Sequence, residues 1–492
     1  MGNERRVVVI GSGPAGASAA RELVRRGVPV LMLESGSAFQ PGLLLRLAGR
    51  TLIRQMPSLL GAESHAVSGD PRTQWYANIA PGGLSNLWSG AVPRFAPEDF
   101  TEGARLHERY RWPVAYEDLA PFYEAIERLL GITADTRDVL NLPAGHVAYP
   151  HRLPEDWRQV ECQAQRRGQG FTTMPLADGP RTMLVRRGTA FNSYANFVLP
   201  MRRSRHFELR VGSHALRLNW SAAKRRVDAV IYHDRNTGET HSVEADAVVV
   251  ACGALQSAKL LFNSACPDFP EGLGNARGVL GRFVHDHPRE WWAFELDRPV
   301  ALLSPAAYLT RLPYESSPPL LATSWTLGTA GVKDRIRSRF GAKGTWVGVQ
   351  VFGTMIPTET RFVRSSAEHK DQFGLPGLEL RIDFSEAEIE NVVRSRQHLM
   401  DLMREAGYAP AMGEVVPQLV PGTSAHYGGT ARMHADPEYG VVDAWNRIHD
   451  APNVLVCDAS CFTTAVEKNP TLTVMALASR AAARLSDDLK NG

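Results

Sequence analysis

The sequence predicts an α/β fold in which a Rossmann-like nucleotide domain carries an inserted, sheet-rich α+β domain, and three observations support it. First, the apolar run VVVIG (7–11) leads into an alanine-rich helical pattern and a second apolar run, VPVLMLES (28–35). Second, the succession of apolar strand, glycine turn and helix returns at ADAVVVACGALQSAKLL (245–261), and NVLVCDAS (453–460) precedes the helical PTLTVMALASRAAARL (470–485). Third, the stretch from about 290 to 420 is hairpin-like and richer in turns, and carries Trp291, Trp292, Trp325, Trp346 and Phe352.

Each element follows from its pattern. RRVVVIG reads as a strand buried on both faces, because its apolar residues run on without alternating. Pro14 to Arg26 reads as a helix stopped by Gly27. With the strand at 28–35 this makes a βαβ unit of the usual length. YEDLAPFYEAIERLLGI (116–132) places Leu119, Phe122, Tyr123, Ile126, Leu129 and Leu130 at helical spacing, which predicts a core helix. Strands are expected in FELRVGSHALRLNW (207–220) and RRVDAVIYH (225–233). At 492 residues the chain exceeds one compact core, so two interleaved domains are expected.

Composition excludes several classes. The charge balance is 55 − 52 = +3 with no long block of one sign, so nothing calls for a nucleic-acid partner. Two short basic clusters read as solvated surface: Arg202, Arg203 and Arg205, then Lys333, Arg335, Arg337 and Arg339. Five cysteines (Cys162, Cys252, Cys266, Cys457, Cys461) without CxxC spacing argue against a disulfide framework or zinc site. No transmembrane run or signal-peptide pattern is found, and a cytoplasmic location is expected.

Gly11, Gly13 and Gly16 form GxGxxG between a strand and a helix, the context in which the motif binds a dinucleotide. The first glycine permits the turn, the second lets the backbone approach a pyrophosphate, and the third lets helix pack on strand. Free N–H groups of the helix start attract the phosphates. Glu34, ending the second strand, suits both hydroxyls of an adenosine ribose and would repel a 2′-phosphate. The motif does not separate FAD from NAD. PGGLSNLWSGAVPRF (81–95) reads equally as a surface turn or as a loop whose backbone passes close to a planar ring. His285 and His287 flank Asp286; with no further ligand cluster this reads as a structural turn, and no metal is expected.

Taken together, GSGPAGASAARELVRRG, GGLSNLWSG, LGRFVHDHP (280–288), SAHYGGTARM (424–433), GVVDAWNRI (440–448), NVLVCDAS and EKNPTLTVMALASRAA resemble, in order, the glucose–methanol–choline (GMC) oxidoreductases. GGLSNLWSGAVPRF and NPTLT look nearer the sugar- and polyol-oxidising branch, pyranose oxidases included. The resemblance implies FAD and oxidation of an alcohol to a carbonyl. It implies an FAD-binding domain from 1–120, 200–290 and 425–492, and a substrate domain from 121–199 and 291–424. Gly11, Gly13, Pro14, Ala15, Gly16, Glu34 and Ser35 would hold the ADP half. Gly82, Gly83, Ser85, Asn86 and Trp88 would lie along the flavin, and the backbone at Ala215 would meet the adenine. Cys252, Gly253, Asp458, Ala459, Asn469, Pro470 and Thr471 complete the cofactor set, with Asp458 bonding near the ribityl and phosphate groups. Some sugar-oxidising relatives attach the flavin to a histidine where this chain has Leu87, so non-covalent FAD is expected.

Taking hydride from an alcohol carbon requires the hydroxyl proton to leave, and a histidine accepts a proton near neutral pH. His426 is the candidate base, whereas His151, His206, His214 and His449 read as structural. Asn469, with Pro470 after it, reads as a helix cap. The family resemblance gives that position a second catalytic role, a hydrogen bond to the substrate oxygen. The helix start would face the flavin's pyrimidine side and stabilise negative charge there. Rival readings are an NAD-dependent dehydrogenase, an FAD-containing lyase acting on a cyanohydrin, and an inactive flavin-bound scaffold. The partners expected are a small-molecule alcohol or sugar as substrate and oxygen, a quinone or a protein as electron acceptor.

Overall fold

The computed structural model describes residues 6–37, 65–177, 191–303, 305–313, 316–329, 344–416 and 419–491. The cluster Lys333, Arg335, Arg337 and Arg339 lies outside the described residues. Arg202, Arg203 and Arg205 are exposed, as solvated surface requires.

A six-stranded sheet forms the first layer. Val7–Ile10 lies at its centre, parallel to Val30–Glu34 on one side and to Ala247–Val250 on the other. Phe207–Val211 extends it beyond Val30–Glu34, and Ala451–Val456 beyond Ala247–Val250, both in parallel. The short antiparallel strand Arg447–Ile448 closes one edge. Helices cover the faces, so both sides of the central strands are dry and the apolar runs do not alternate. Gly11, Ser35, Cys252 and Cys457 follow the carboxyl ends of parallel strands, which therefore open onto one crevice. A separate antiparallel sheet, Ser213–Ser221, Arg226–Asp234 and Thr240–Glu244, carries Ala215.

The second large sheet is antiparallel throughout. Its order is Ala411–Val416, Arg289–Glu295, Trp346–Gly353, Thr323–Thr329, Ala307–Leu312 and Phe171–Thr173. One face packs on the helices Arg158–Arg166 and Glu386–Glu405 through Trp292, Phe294, Trp325, Val347, Val349 and Val351, all at most 3% exposed. Residues between them in sequence face the other way and are wetter, the alternation expected of a sheet with one covered face.

Two expectations are corrected here. The helix Tyr116–Leu130 runs unbroken through residue 120, where a domain change was expected. Its buried stripe, Leu119, Tyr123, Ile126 and Leu130, joins the nucleotide-domain core, and the Tyr123 hydroxyl meets Thr473 Oγ1 at 2.8 Å. Leu129 falls off that stripe and is 38% exposed. The C-terminal helix, Thr471–Asn491, starts one residue later than expected. The Pro470 carbonyl accepts from Val474 N at 3.0 Å, so Pro470 takes the cap position and Asn469 sits just outside the helix. Asn469 is thereby released from capping.

Candidate active site

The phosphate end is a backbone construction. Gly11 has φ +101°, a left-handed value that favours glycine, and a Cβ there would lie 2.4 Å from the Ala251 carbonyl oxygen. A Cβ on Gly16 would lie 2.1 Å from the Gly11 carbonyl oxygen, so the third glycine is required by contact of helix and strand. Gly13 has nothing within 4 Å of its Cβ position. It stands before Pro14–Arg25 without a side-chain cap, which leaves the first-turn N–H groups, including those of Ala15 and Gly16, facing an open cradle. Such a cradle fits a pyrophosphate.

A polar chain joins this turn to the second glycine turn. Gly82 N donates to Ser12 Oγ at 2.9 Å, and Ser12 Oγ donates to Glu34 Oε2 at 2.5 Å. Ser12 N also donates to Oε2, and Gly36 N to Oε1 at 2.7 Å. Glu34 therefore keeps one open acceptor position, on Oε1, rather than the pair expected for two ribose hydroxyls. Gly83 faces Gly13, its Cβ position 3.5 Å from the Gly13 Cα. Ser85, Asn86 and Trp88 spend their polar atoms on the protein. Ser85 Oγ donates to Gly82 O, Asn86 bonds Pro81 O and Asn192, and Trp88 Nε1 donates to Phe191 O at 2.6 Å. The loop thus offers backbone and ring surface to a planar ligand. Ser35 Oγ meets His214 Nδ1 at 2.8 Å, beside Ala215, and Phe373 stacks on His214 at 4.4 Å between ring centroids.

Asp458 is also committed. Its carboxylate accepts from Gly253 N at 3.0 Å, Ser257 Oγ, Ser460 N at 2.9 Å and Ser460 Oγ at 2.5 Å. Those four donors fill its acceptor positions, so Asp458 holds the Cys252–Gly253 and Ala459–Ser460 turns rather than offering an oxygen to the cofactor. Burial pushes this carboxyl up, against the pull of the same donors.

The reaction end is assembled from side chains far apart in sequence. His426 Nε2 lies 3.3 Å from Asn469 Nδ2, while His426 Nδ1 is buried without a partner. With the amide as donor, the imidazole lone pair is on Nε2 and its proton on Nδ1. Burial pushes His426 well below the ordinary histidine range, and the charges of His287 and Arg289 add to that. The ring is therefore neutral and able to accept a proton. His287 meets it edge-on with centroids 5.0 Å apart, and Phe352 lies 5.2 Å away.

His426, the candidate base, is gripped by its backbone. Asp286, with no exposed surface, accepts from His426 N at 2.9 Å and from Ser424 Oγ. Between them Ala425 has φ +60°, a conformation few non-glycine residues adopt unless held. His285 and Gly428 exchange backbone hydrogen bonds at 3.1 and 3.0 Å, and a Cβ on Gly428 would lie 2.4 Å from His285 Nε2. His287 Nδ1 meets the Gly353 carbonyl at 3.0 Å. The HDHP stretch, read from sequence as a structural turn, holds the backbone on both sides of His426.

The two residues before Asn469, Glu467 and Lys468, belong to a buried charge cluster that sequence reasoning missed. Lys468 Nζ lies 2.7 Å from Asp99 Oδ2 and 2.8 Å from Glu467 Oε1, all three side chains being fully buried. Arg311 joins through Asp99 and Glu102. Burial alone would lower Lys468, but Asp99 and Glu467 raise it, so the ammonium stays charged. Ser324 Oγ donates to Glu467 O at 2.7 Å and ties this segment to the second sheet. The single hint in the sequence was a Glu-Lys pair inside an otherwise apolar C-terminal stretch. Among the described residues no cluster of histidine, cysteine and carboxylate side chains suits a metal, and all five cysteines are free.

Comparisons with known proteins give the family. Family models described as GMC oxidoreductase match residues 82–289 and 357–478, and one described as an FAD binding domain matches 4–42. The chain is 30% identical to 6'''-hydroxyparomomycin C oxidase of Streptomyces lividus, over 98% of this chain and 91% of that protein. It is 29% identical to paromamine 6'-oxidase of Streptomyces fradiae with the same coverage. Among solved structures, pyridoxine 4-oxidase of Mesorbium loti superposes with a TM-score of 0.67 at 19% identity, over 98% of this chain and 99% of that one.

Proposed function

The chain belongs to the GMC oxidoreductase family, and on that premise we propose that it oxidises a hydroxyl of a sugar or glycoside with His426 as base and Asn469 as the oxygen-holding group. It is an FAD-dependent enzyme that turns an alcohol into a carbonyl, and the glycine cradle, with Gly13 open and the first-turn N–H groups free, fits that cofactor.

The observation that carries the reading is the pairing of a neutral His426 Nε2 with Asn469 Nδ2 at 3.3 Å. A substrate hydroxyl placed against both meets an acceptor for its proton and a donor for its oxygen. As the proton passes to Nε2 the imidazole becomes cationic, and Asn469 Nδ2 stabilises the negative charge growing on oxygen. Phe352 and His287 wall the imidazole and keep water from its faces. FAD, when bound, supplies the acceptor for the hydride leaving the carbinol carbon. The start of the helix Thr471–Asn491, next to Asn469, adds a partial positive charge on the same side.

Two relatives similar over nearly the whole chain are named for oxidation of aminoglycosides, so a hydroxyl on an aminosugar glycoside is the favoured substrate class. No helix among the described residues is long and apolar enough to cross a membrane, and a cytoplasmic location is proposed. The test is an anaerobic panel on the holoenzyme: methyl β-D-glucoside with one ring, paromamine with two and paromomycin with four, scored by flavin bleaching. Bleaching by a sugar alcohol that is lost in His426→Ala supports the reading. A cyanohydrin that releases aldehyde while the flavin stays yellow overturns it in favour of a lyase. Admitting air afterwards separates oxygen from a quinone or protein as electron acceptor.

A further inference from the structure

The antiparallel hairpin Phe362–Lys370 and Pro376–Arg381 lies in the stretch expected for the substrate domain, yet its tip lands on the nucleotide domain. Asp371 builds that tip. Its Oδ1 accepts from Phe373 N at 2.8 Å and Leu375 N at 3.0 Å, while Asp371 N donates to Leu375 O and Gly374 N to Asp371 O. Its Oδ2 lies 2.7 Å from Lys259 Nζ, and both side chains are buried. Burial would raise this carboxyl, but the Lys259 ammonium and the turn's own N–H groups hold it below the ordinary carboxylate range. Lys259 stands on the helix Ala254–Phe262, which starts directly after Gly253 in the crevice of the parallel sheet.

Held there, Phe373 covers a pair of histidines. His214 and His233 are direct cross-strand partners on Ser213–Ser221 and Arg226–Asp234, so their side chains share a face. The Phe373 ring stacks on His214 with centroids 4.4 Å and planes 23° apart, and meets His233 at 5.0 Å. His214 Nδ1 in turn meets Ser35 Oγ at 2.8 Å. Ser35 stands between Glu34, with its open acceptor position, and Gly36, whose N–H donates to the same carboxylate. The Ser35 carbonyl accepts from Arg235 Nη1 at 3.3 Å, and the Gly36 carbonyl from Gly212 N at 2.9 Å. An unbroken run of contacts therefore leads from Lys259 through Asp371, Phe373, His214 and Ser35 to Glu34.

We propose that the 371–375 turn is a clasp on the adenosine half of FAD, in which Phe373 is a positioning residue that acts through His214. Without the ring, the His214 side chain gains rotamers and Ser35 loses a fixed partner. Binding the cofactor must then order the Glu34–Gly36 segment, and that ordering is subtracted from affinity. The second domain thus governs how tightly FAD is held as well as what reaches His426. The proposal rests on Glu34 marking the adenosine end of the site.

The test strips flavin from the full-length chain and titrates it with FAD and with ADP, which carries the adenosine half alone. Phe373→Ala and His214→Ala should each weaken both ligands about three- to tenfold, the size of one lost ring contact. Phe373→Tyr, which keeps a ring, should bind both as wild type does. The double variant should bind FAD no more weakly than His214→Ala alone, because the ring acts through that histidine. On dilution the Phe373→Ala holoenzyme should release flavin faster, read as the rise in flavin fluorescence. Unchanged affinities in Phe373→Ala overturn the clasp, and so does a loss for FAD that ADP does not share. Additive losses in the double variant overturn the route through His214. If wild type binds FAD but not ADP, Glu34 does not mark the adenosine end, and it is the reading beneath the clasp that has failed.

Discussion

The nucleotide end and the reaction end each rely on a buried carboxylate that holds two loops together, yet they leave opposite things free. Asp458 fixes the Gly253 and Ser460 turns, and in the second glycine turn Ser85, Asn86 and Trp88 bond to the protein. What remains uncommitted there is backbone N–H and open space at Gly13. Asp286 fixes Ser424 and His426 but takes hold of the histidine by its main chain, and what remains for chemistry is the imidazole, whose Nε2 meets the Asn469 amide at 3.3 Å. A phosphate is recognised by many fixed dipoles, so its site can be wholly rigid. A base must keep a lone pair within reach of the incoming proton, so its site is rigid behind the functional group and holds the reacting nitrogen by a long contact alone.

The largest effects should separate the two ends by what is lost. His426→Ala is expected to lower anaerobic flavin reduction by about 10²–10⁴ while FAD remains bound, as measured by stopped flow and by the visible spectrum of the purified protein. Loss of flavin from this variant would break the division. Gly11→Ala places a methyl against the Ala251 carbonyl in a backbone region that L-residues avoid. It should lose flavin on purification and unfold at lower temperature. A yellow, fully loaded Gly11→Ala enzyme would mean the cradle does not depend on that turn.

The same contrast explains what could be read from the sequence. The nucleotide end was legible because its chemistry lies in main chain: GxGxxG and Glu34 fall within one βαβ unit, and each glycine has a local steric reason. The sharing of Glu34 with Ser12, and the saturation of Asp458, were not legible, because both depend on donors brought in by neighbouring loops. At the reaction end His426 and Asn469 are proposed on the family resemblance and on their approach in the fold. Asp286 was read as part of a structural turn without its link to His426, and Phe352 as one aromatic among many. Their roles exist only once the strand Arg289–Glu295 brings residues 286 and 426 together across 140 positions. Asn469 was misassigned as a cap by one residue, since Asn-Pro is a sound capping signal and only the Pro470–Val474 bond decides the register.

A smaller effect tests whether the grip on the base matters. Asp286→Asn keeps an oxygen for Ser424 Oγ and His426 N but removes the negative charge and puts an amide nitrogen, which cannot accept, where Oδ2 takes Ser424 N at 3.3 Å. Flavin reduction should slow about tenfold, with kcat lowered more than KM changes, because the imidazole is misplaced rather than substrate binding altered. Asp286→Glu should recover part of the rate. An Asn variant as fast as wild type would reduce the grip to ordinary packing.

The smallest effect expected is a shift of pH dependence. His426 must be neutral to accept a proton, and burial, followed by the charges of His287 and Arg289, lowers its pKa. A base with a lowered pKa stays competent as pH falls, so kcat/KM for flavin reduction should decline only below the ordinary histidine value of about 6.5. Arg289 contributes repulsion towards the imidazolium. Arg289→Gln removes that repulsion, favours the protonated form and should move the acid limb to higher pH, while burial keeps it below the ordinary value. Asp286 contacts the backbone of His426 rather than its ring, so Asp286→Asn should change the rate more than the limb. A limb that moved down in Arg289→Gln, or did not move, would mean the guanidinium acts on the site through packing alone. That outcome would leave the reaction end resembling the nucleotide end, with position rather than charge deciding its chemistry.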